Sequence, residues 1–238
     1  MLFKKYEKPA LYALLIFLLA GNMYYFFIRV SPIFYFSKIF CKPQDPILRL
    51  ALYNELKEEY KILNEKQANK KVVVFVGDSI TRRFNLQEYF PDLFILNRGI
   101  FDDTTLGVLR RLNQNINNLD INKLFLMIGL NDLAYRTNHE ILYNISLMLS
   151  RIKAHKVYIQ SILPVNACYN ENNARIVELN RRLKDMCEQS GNYYVDLHSH
   201  FLDEQQGLDR KYSCDGVHPN AYGYYLWSTV LAPIINFE

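Results

Sequence analysis

The sequence predicts a three-layer α/β/α domain built on a parallel sheet of about five strands, preceded by an N-terminal transmembrane helix. Three observations lead there. Beyond Lys71, short apolar runs rich in Val, Ile, Leu, Phe and Tyr alternate with longer amphipathic ones. The short runs are almost continuously hydrophobic, as strands buried on both faces are. Ahead of them, from Ala10 to Ile28, the one strongly polar side chain is Asn22, over about the length that crosses a bilayer as a helix.

The first element is that span. Lys4, Lys5 and Lys8 precede it, and Tyr24 to Phe27, followed by Phe34, Tyr35 and Phe36, resemble an interfacial aromatic belt. A buried soluble helix is the bland alternative. A cleaved signal peptide with a small-residue site at Ala20-Gly21 is the closest competitor, but the apolar run continues past that point. Three basic residues before the span, against Arg29 just after it, favour a cytoplasmic N-terminus and an extracytoplasmic domain. The expected division is an anchor over 1–30, a juxtamembrane segment and linker helix over 31–70, and the domain over 71–238.

Asp45-Pro46 reads as a helix cap followed by proline at the first helical position. Ile47, Leu50, Ala51, Leu52, Leu56, Tyr60 and Leu63 recur at helical spacing, which predicts a helix over 46–66. Strands follow at 72–76, 93–97, 123–128, 156–161 and 193–197, with helices near 104–117, 138–154, 171–189 and 220–235. Crossovers of this length imply a flavodoxin-like parallel sheet covered on both sides, with its site outside the carboxyl ends of the strands.

Charge narrows the partners. The net charge of +4 is concentrated in residues 1–42, where Lys4, Lys5, Lys8, Arg29, Lys38 and Lys42 face Glu7 alone. The remainder is close to neutral and offers no nucleic-acid surface. No pattern in the sequence sets an oligomeric state, and none calls for a cofactor.

Four short motifs lie at or beyond strand ends: Gly77-Asp78-Ser79-Ile80, Asn97-Arg98-Gly99, Gly129-Leu130-Asn131-Asp132 and Asp215-Gly216-Val217-His218-Pro219. Ser79 follows a turn able to expose its hydroxyl, which is a poor nucleophile until a base takes its proton. By itself a serine there is more often a helix cap. His218 can be the base and Asp215 the group that orients its ring, both on one short loop. Read blandly, the loop is an Asp-Gly turn with an incidental histidine. Acyl transfer also needs donors for the tetrahedral oxyanion, and the Ser79 N–H, the Gly99 N–H and the Asn131 amide can supply them. Asn131 taken alone reads as a turn residue.

Taken together these blocks resemble the SGNH, or GDSL-type, hydrolase family over about Val72 to Pro233. The resemblance implies a catalytic set of Ser79, Asp215 and His218 and an oxyanion hole of Ser79, Gly99 and Asn131. Two departures are Ile80, where many members carry leucine, and Leu130, where threonine is common. Asn97-Arg98-Gly99 with Asp103-Thr104-Thr105 further resembles the branch of platelet-activating-factor acetylhydrolases and carbohydrate acetyl-esterases. The expected activity is therefore removal of a small acyl group, chiefly O-acetyl, from an envelope glycan or related molecule. A lysophospholipase or other lipid esterase, an O-acetyltransferase and a non-catalytic glycan-binding protein are the alternatives.

Other signals carry less. Gly-x-Ser-x-Gly would need glycine where Thr81 stands. Asp196, His198 and His200 alternate as in some metal sites, but no further ligand cluster is nearby, so a polar strand end is the reading adopted. Cys41, Cys168, Cys187 and Cys214 lack metal-type spacing; an exported domain would permit a disulfide, with Cys168 and Cys214 the first pair to consider, and four unpaired thiols are the equal alternative.

Overall fold

The computed structural model describes residues 46–67, 70–166 and 172–236. Its strands are β1 Lys71–Gly77, β2 Ile95–Gly99, β3 Asp120–Met127, β4 Ala154–Gln160 and β5 Tyr193–Val195. They lie in the order β2-β1-β3-β4-β5, and every neighbouring pair is parallel. The chain winds outward from β1 in both directions. The crevice where that direction reverses, above the carboxyl ends of β1 and β3, is where such sheets bind ligands.

The longer helices are α1 Pro46–Glu65, α4 Thr105–Asn115, α5 Asn138–Leu149, α6 Asn173–Ser190 and α7 Ala221–Ile235, and single turns α2 Ser79–Arg82 and α3 Leu86–Tyr89 follow β1. Alternation along β1 divides the core. Val72, Val74 and Val76 pack with α4, α5 and α6 through Leu112, Ile145 and Leu179. Val73 and Phe75 face Ile80, Phe84, Trp227 and Leu231 under α2 and α7. That is the three-layer architecture expected.

Local chemistry sets the helix starts. Thr104 caps α4 by accepting from the Gly107 N–H, Thr137 and Glu140 form a reciprocal box on α5, and Asn220 accepts from the Gly223 N–H on α7. Several boundaries differ from expectation. β2 begins two residues later and carries Asn97 and Arg98 inside the sheet, paired with Phe75 and Val76. Their side chains are satisfied by Thr81 O, at 2.7 Å, and Asn64 Oδ1, at 2.9 Å, so the strand expected to end at Asn97 runs on to Gly99. α5 ends at Leu149 because Ala154 already pairs with Ile121 of β3. β3 starts at Asp120, and the ammonium of Lys123 reaches the Ile234 and Ile235 carbonyls at the end of α7.

The helix expected as a linker, α1, also packs on the domain. Ile47 onward forms one compact unit, Tyr60 is buried, and the Asn64 amide donates to Asn115 O at 2.9 Å. Among the described residues no helix is long and apolar enough to cross a membrane. The span expected over Ala10 to Ile28, with the rest of the segment before Pro46, lies outside the described residues. Cys187 is buried and Cys214 exposed, each a free thiol. The pair first considered, Cys168 with Cys214, is not described, because Cys168, like Cys41, lies outside the described residues.

Candidate active site

The site begins where β1 turns into α2. A Cβ at Gly77 would collide with Thr81 Oγ1 and Met127 O, so glycine lets α2 sit directly on the strand end. Asp78 is fully buried, and its carboxylate caps α2 by accepting from the Ile80 N–H at 2.9 Å. Burial pushes its pKa up to about 7, with the Ile80 N–H pulling down and the Asp103 and Asp132 carboxylates pushing further up. Asp78 thus fixes the turn, leaving Ser79 at the first position of α2 with its hydroxyl free to face across the crevice.

Ser79 Oγ lies 2.9 Å from His218 Nε2, and His218 Nδ1 lies 2.8 Å from Asp215 Oδ2. With Nδ1–H donating to Asp215, Nε2 is left to accept the serine proton. The loop behind them is tightly held. Asp215 Oδ1 accepts the Val217 and His218 N–H groups at 2.9 and 2.8 Å, and Gly216 takes a left-handed φ of 79° to allow it. Ser213 Oγ donates to His218 O at 2.8 Å, and the Asn166 N–H to Gly216 O at 2.8 Å. Burial pushes the Asp215 carboxyl up, but the His218 ring and the two backbone donors outweigh it and hold it well below the usual carboxylate range. It therefore stays anionic, as an orienting group for imidazole must.

Asn131 opens a turn of 3₁₀ helix after β3, and its amide donates to Asp103 O at 2.9 Å. Asp132 beside it is buried and accepts from the Thr105 N–H and hydroxyl at 2.9 and 2.6 Å. The third motif is thereby tied to the start of α4.

Gly99 requires a correction. Its N–H donates to Asn97 Oδ1 at 2.9 Å, so it is not available to an oxyanion. Its carbonyl accepts from the Tyr60 hydroxyl at 2.6 Å, and a Cβ there would run into the Arg82 backbone. Gly99 serves close packing of β2 on α2. Further along the same loop Asp102 adopts φ 58°, and its N–H has no partner among the described residues. The glycine was conspicuous in sequence; its hydrogen-bond partner was not.

Sequence reasoning named Asp103 only in a motif and missed its partner Arg111. Both side chains are fully buried, with Arg111 Nε 2.8 Å from Asp103 Oδ2 and Arg111 Nη2 2.8 Å from Arg98 O. Burial pushes Asp103 up, and the Arg111 guanidinium and the Thr104 N–H pull against it. Removing one partner of such a pair costs about 3–5 kcal/mol, because the other is stranded, so the pair ties the loop to α4. A signal existed: Arg111 falls on the same buried stripe of α4 as Val108, Leu112 and Asn115.

Asp196, His198 and His200 do not converge. Asp196 Oδ1 accepts the Ser199 N–H at 3.2 Å, His198 Nδ1 is buried 2.9 Å from Ile162 O, and His200 is exposed. Among the described residues no group of His, Cys, Asp and Glu is disposed to hold a metal.

The model of the GDSL-like lipase/acylhydrolase family matches residues 75–226. Among solved structures, a Streptococcus pneumonia protein named after platelet activating factor is 26% identical with a TM-score of 0.72, covering 77% of this chain and 92% of its own. A Bacteroides fragilis protein assigned as an acylhydrolase is also 26% identical, with a TM-score of 0.68 and coverage of 75% and 95%. An acetylxylan esterase from Geobacillus stearothermophilus shares the fold at 20% identity and a TM-score of 0.58, covering 73% of this chain and 97% of its own. No curated protein matches the chain.

Proposed function

This chain belongs to the GDSL-like lipase/acylhydrolase family and is a serine ester hydrolase, and on that premise we propose that it removes a small acyl group, chiefly O-acetyl, from an envelope glycan or related molecule. The observation that carries the reading is the run of two short contacts, Ser79 Oγ to His218 Nε2 at 2.9 Å and His218 Nδ1 to Asp215 Oδ2 at 2.8 Å. In the proposed mechanism the Ser79 hydroxyl gives its proton to Nε2 as Oγ attacks the acyl carbon. The Ser79 N–H and the Asn131 amide receive the negative oxygen, with the Asp102 N–H taking the place first expected of Gly99. His218 returns the proton to the leaving alcohol. It then takes one from water, which attacks the acyl-serine, and passes it to Ser79 Oγ as that bond breaks and the acid leaves.

An open site supports a short acyl group. His218 and Asp215 side chains are 20% and 35% exposed, and the chain from Gly99 to Gly129 is mostly strand and helix, joined by the short connections 100–104 and 116–119. Acetyl aryl esters are expected to be hydrolysed with a higher kcat/KM than octanoyl esters. A true chain groove would instead gain about 0.8 kcal/mol per buried methylene, giving a steep rise with length. Exposed Phe101 and Tyr135, on the two loops that carry Asp102 and Asn131, favour lipid hydrolysis as a second reading. Preference for octanoyl below its critical micelle concentration would select it.

The same proposal places the domain outside the cell on an anchor formed by residues 10–28, supported by the apolar run and its basic flank. The full chain should sediment with membranes and resist carbonate, while a chain starting at Asp45 should be soluble and active. A carbonate-extractable full chain would refute the anchor. Protease added to intact cells should digest the domain, and protection until the membrane is breached would reverse the orientation.

A further inference from the structure

Helix α1 precedes the region that the family model matches, from residue 75, yet four of its side chains reach β2 or the loop beyond it. The Tyr60 hydroxyl donates to Gly99 O at 2.6 Å. Asn64 Oδ1 accepts from Arg98 Nε at 2.9 Å, and the Arg98 guanidinium lies 4.8 Å from the Tyr60 ring centre. Arg49 pairs with Asp102 at 3.4 Å, but both side chains are substantially exposed and such a pair contributes little. These three hold the strand end or the surface. The fourth, Tyr53, is different, because it reaches the residue whose carbonyl holds Asn131.

Tyr53 Oη donates to Asp103 Oδ1 at 3.2 Å, and the Thr104 N–H donates to the same oxygen at 2.9 Å. Arg111 Nε takes the other oxygen at 2.8 Å. The Asp103 side chain is therefore gripped from α1 on one side and α4 on the other, which fixes the direction of its backbone carbonyl. That carbonyl accepts one N–H of the Asn131 amide at 2.9 Å. A carboxamide is planar, so fixing one N–H fixes where the second points. α4 is shaped around the same contact: a Cβ at Gly107 would fall on Asp103 Oδ1 and come within 3.0 Å of Tyr53 Oη. Burial raises the Tyr53 phenol well above its ordinary value, with the Asp103 charge adding to it, so the hydroxyl remains a donor.

We propose that Tyr53 is a positioning residue for ester hydrolysis, aiming the Asn131 amide through Asp103, and that α1 is thereby a working part of the site. The inference rests on the esterase reading given above. Its signature is non-additivity: a residue that acts through Asn131 has nothing to act on once Asn131 is gone.

The test uses the full-length chain and 4-nitrophenyl acetate. Tyr53→Phe, which removes only the hydroxyl, is expected to lower kcat about tenfold with KM changed by less than about twofold. In the Asn131→Ala background the same substitution should change kcat by less than about twofold. Gly107→Ala, which presses on the same pair of oxygens from α4, should show the same pattern. An equal fall in both backgrounds, or no fall in the wild-type background, would overturn the proposal. Wild-type protein that neither hydrolyses the ester nor takes a fluorophosphonate on Ser79 would bring down the esterase reading, and this inference with it.

Discussion

Ser79→Ala is expected to lower kcat by several orders of magnitude while leaving the fold intact. Ser79 is only partly buried, and its hydroxyl has one side-chain partner, His218 Nε2 at 2.9 Å, so little packing is lost with it. What disappears is the covalent route. Without the hydroxyl, His218 can at best activate a water that the site was not built to hold, and the residual rate comes from binding and the oxyanion donors. A fluorophosphonate should label the wild type and miss the variant, with unchanged thermal unfolding. Equal labelling of both would remove Ser79 from the mechanism.

Asn131→Ala is expected to reduce kcat roughly 10²–10³-fold with little change in KM, because an oxyanion donor matters most once charge develops on the acyl oxygen. One N–H of this amide is already used on Asp103 O at 2.9 Å, which orients the group without consuming it. The Asp132 anchor to Thr105 is untouched by the substitution, so the turn should keep its shape. A loss confined to KM would make Asn131 a substrate-binding residue instead.

The contact of Ser79 with His218 and of His218 with Asp215 was legible because its signals are local. Ser79 and its capping Asp78 occupy one strand-to-helix turn, and Asp215 and His218 share one loop whose bend Gly216 permits. The oxyanion side was only half legible. Asn131 lies after β3 with its amide held by Asp103 O, whereas Gly99 was assigned a role that its bond to Asn97 Oδ1 forecloses. Whether a backbone N–H is free depends on where a neighbouring side chain turns, and residue identity does not record that.

By itself the sequence determined the alternation of buried strands and covering helices, the parallel sheet, and the placing of four motifs at or beyond strand ends. Hydrophobic period, capping residues and turn residues encode these over a few positions each. Tertiary structure alone decided what joins distant segments. Asp103 and Arg111 became a buried ion pair, polar Asn97 and Arg98 were admitted to β2, and α1 changed from a connector into a support reaching Gly99 and Asp103. The physical reason is common to all three. A buried polar group is tolerated only when partners from elsewhere in the chain satisfy it, and those partners are assigned by packing.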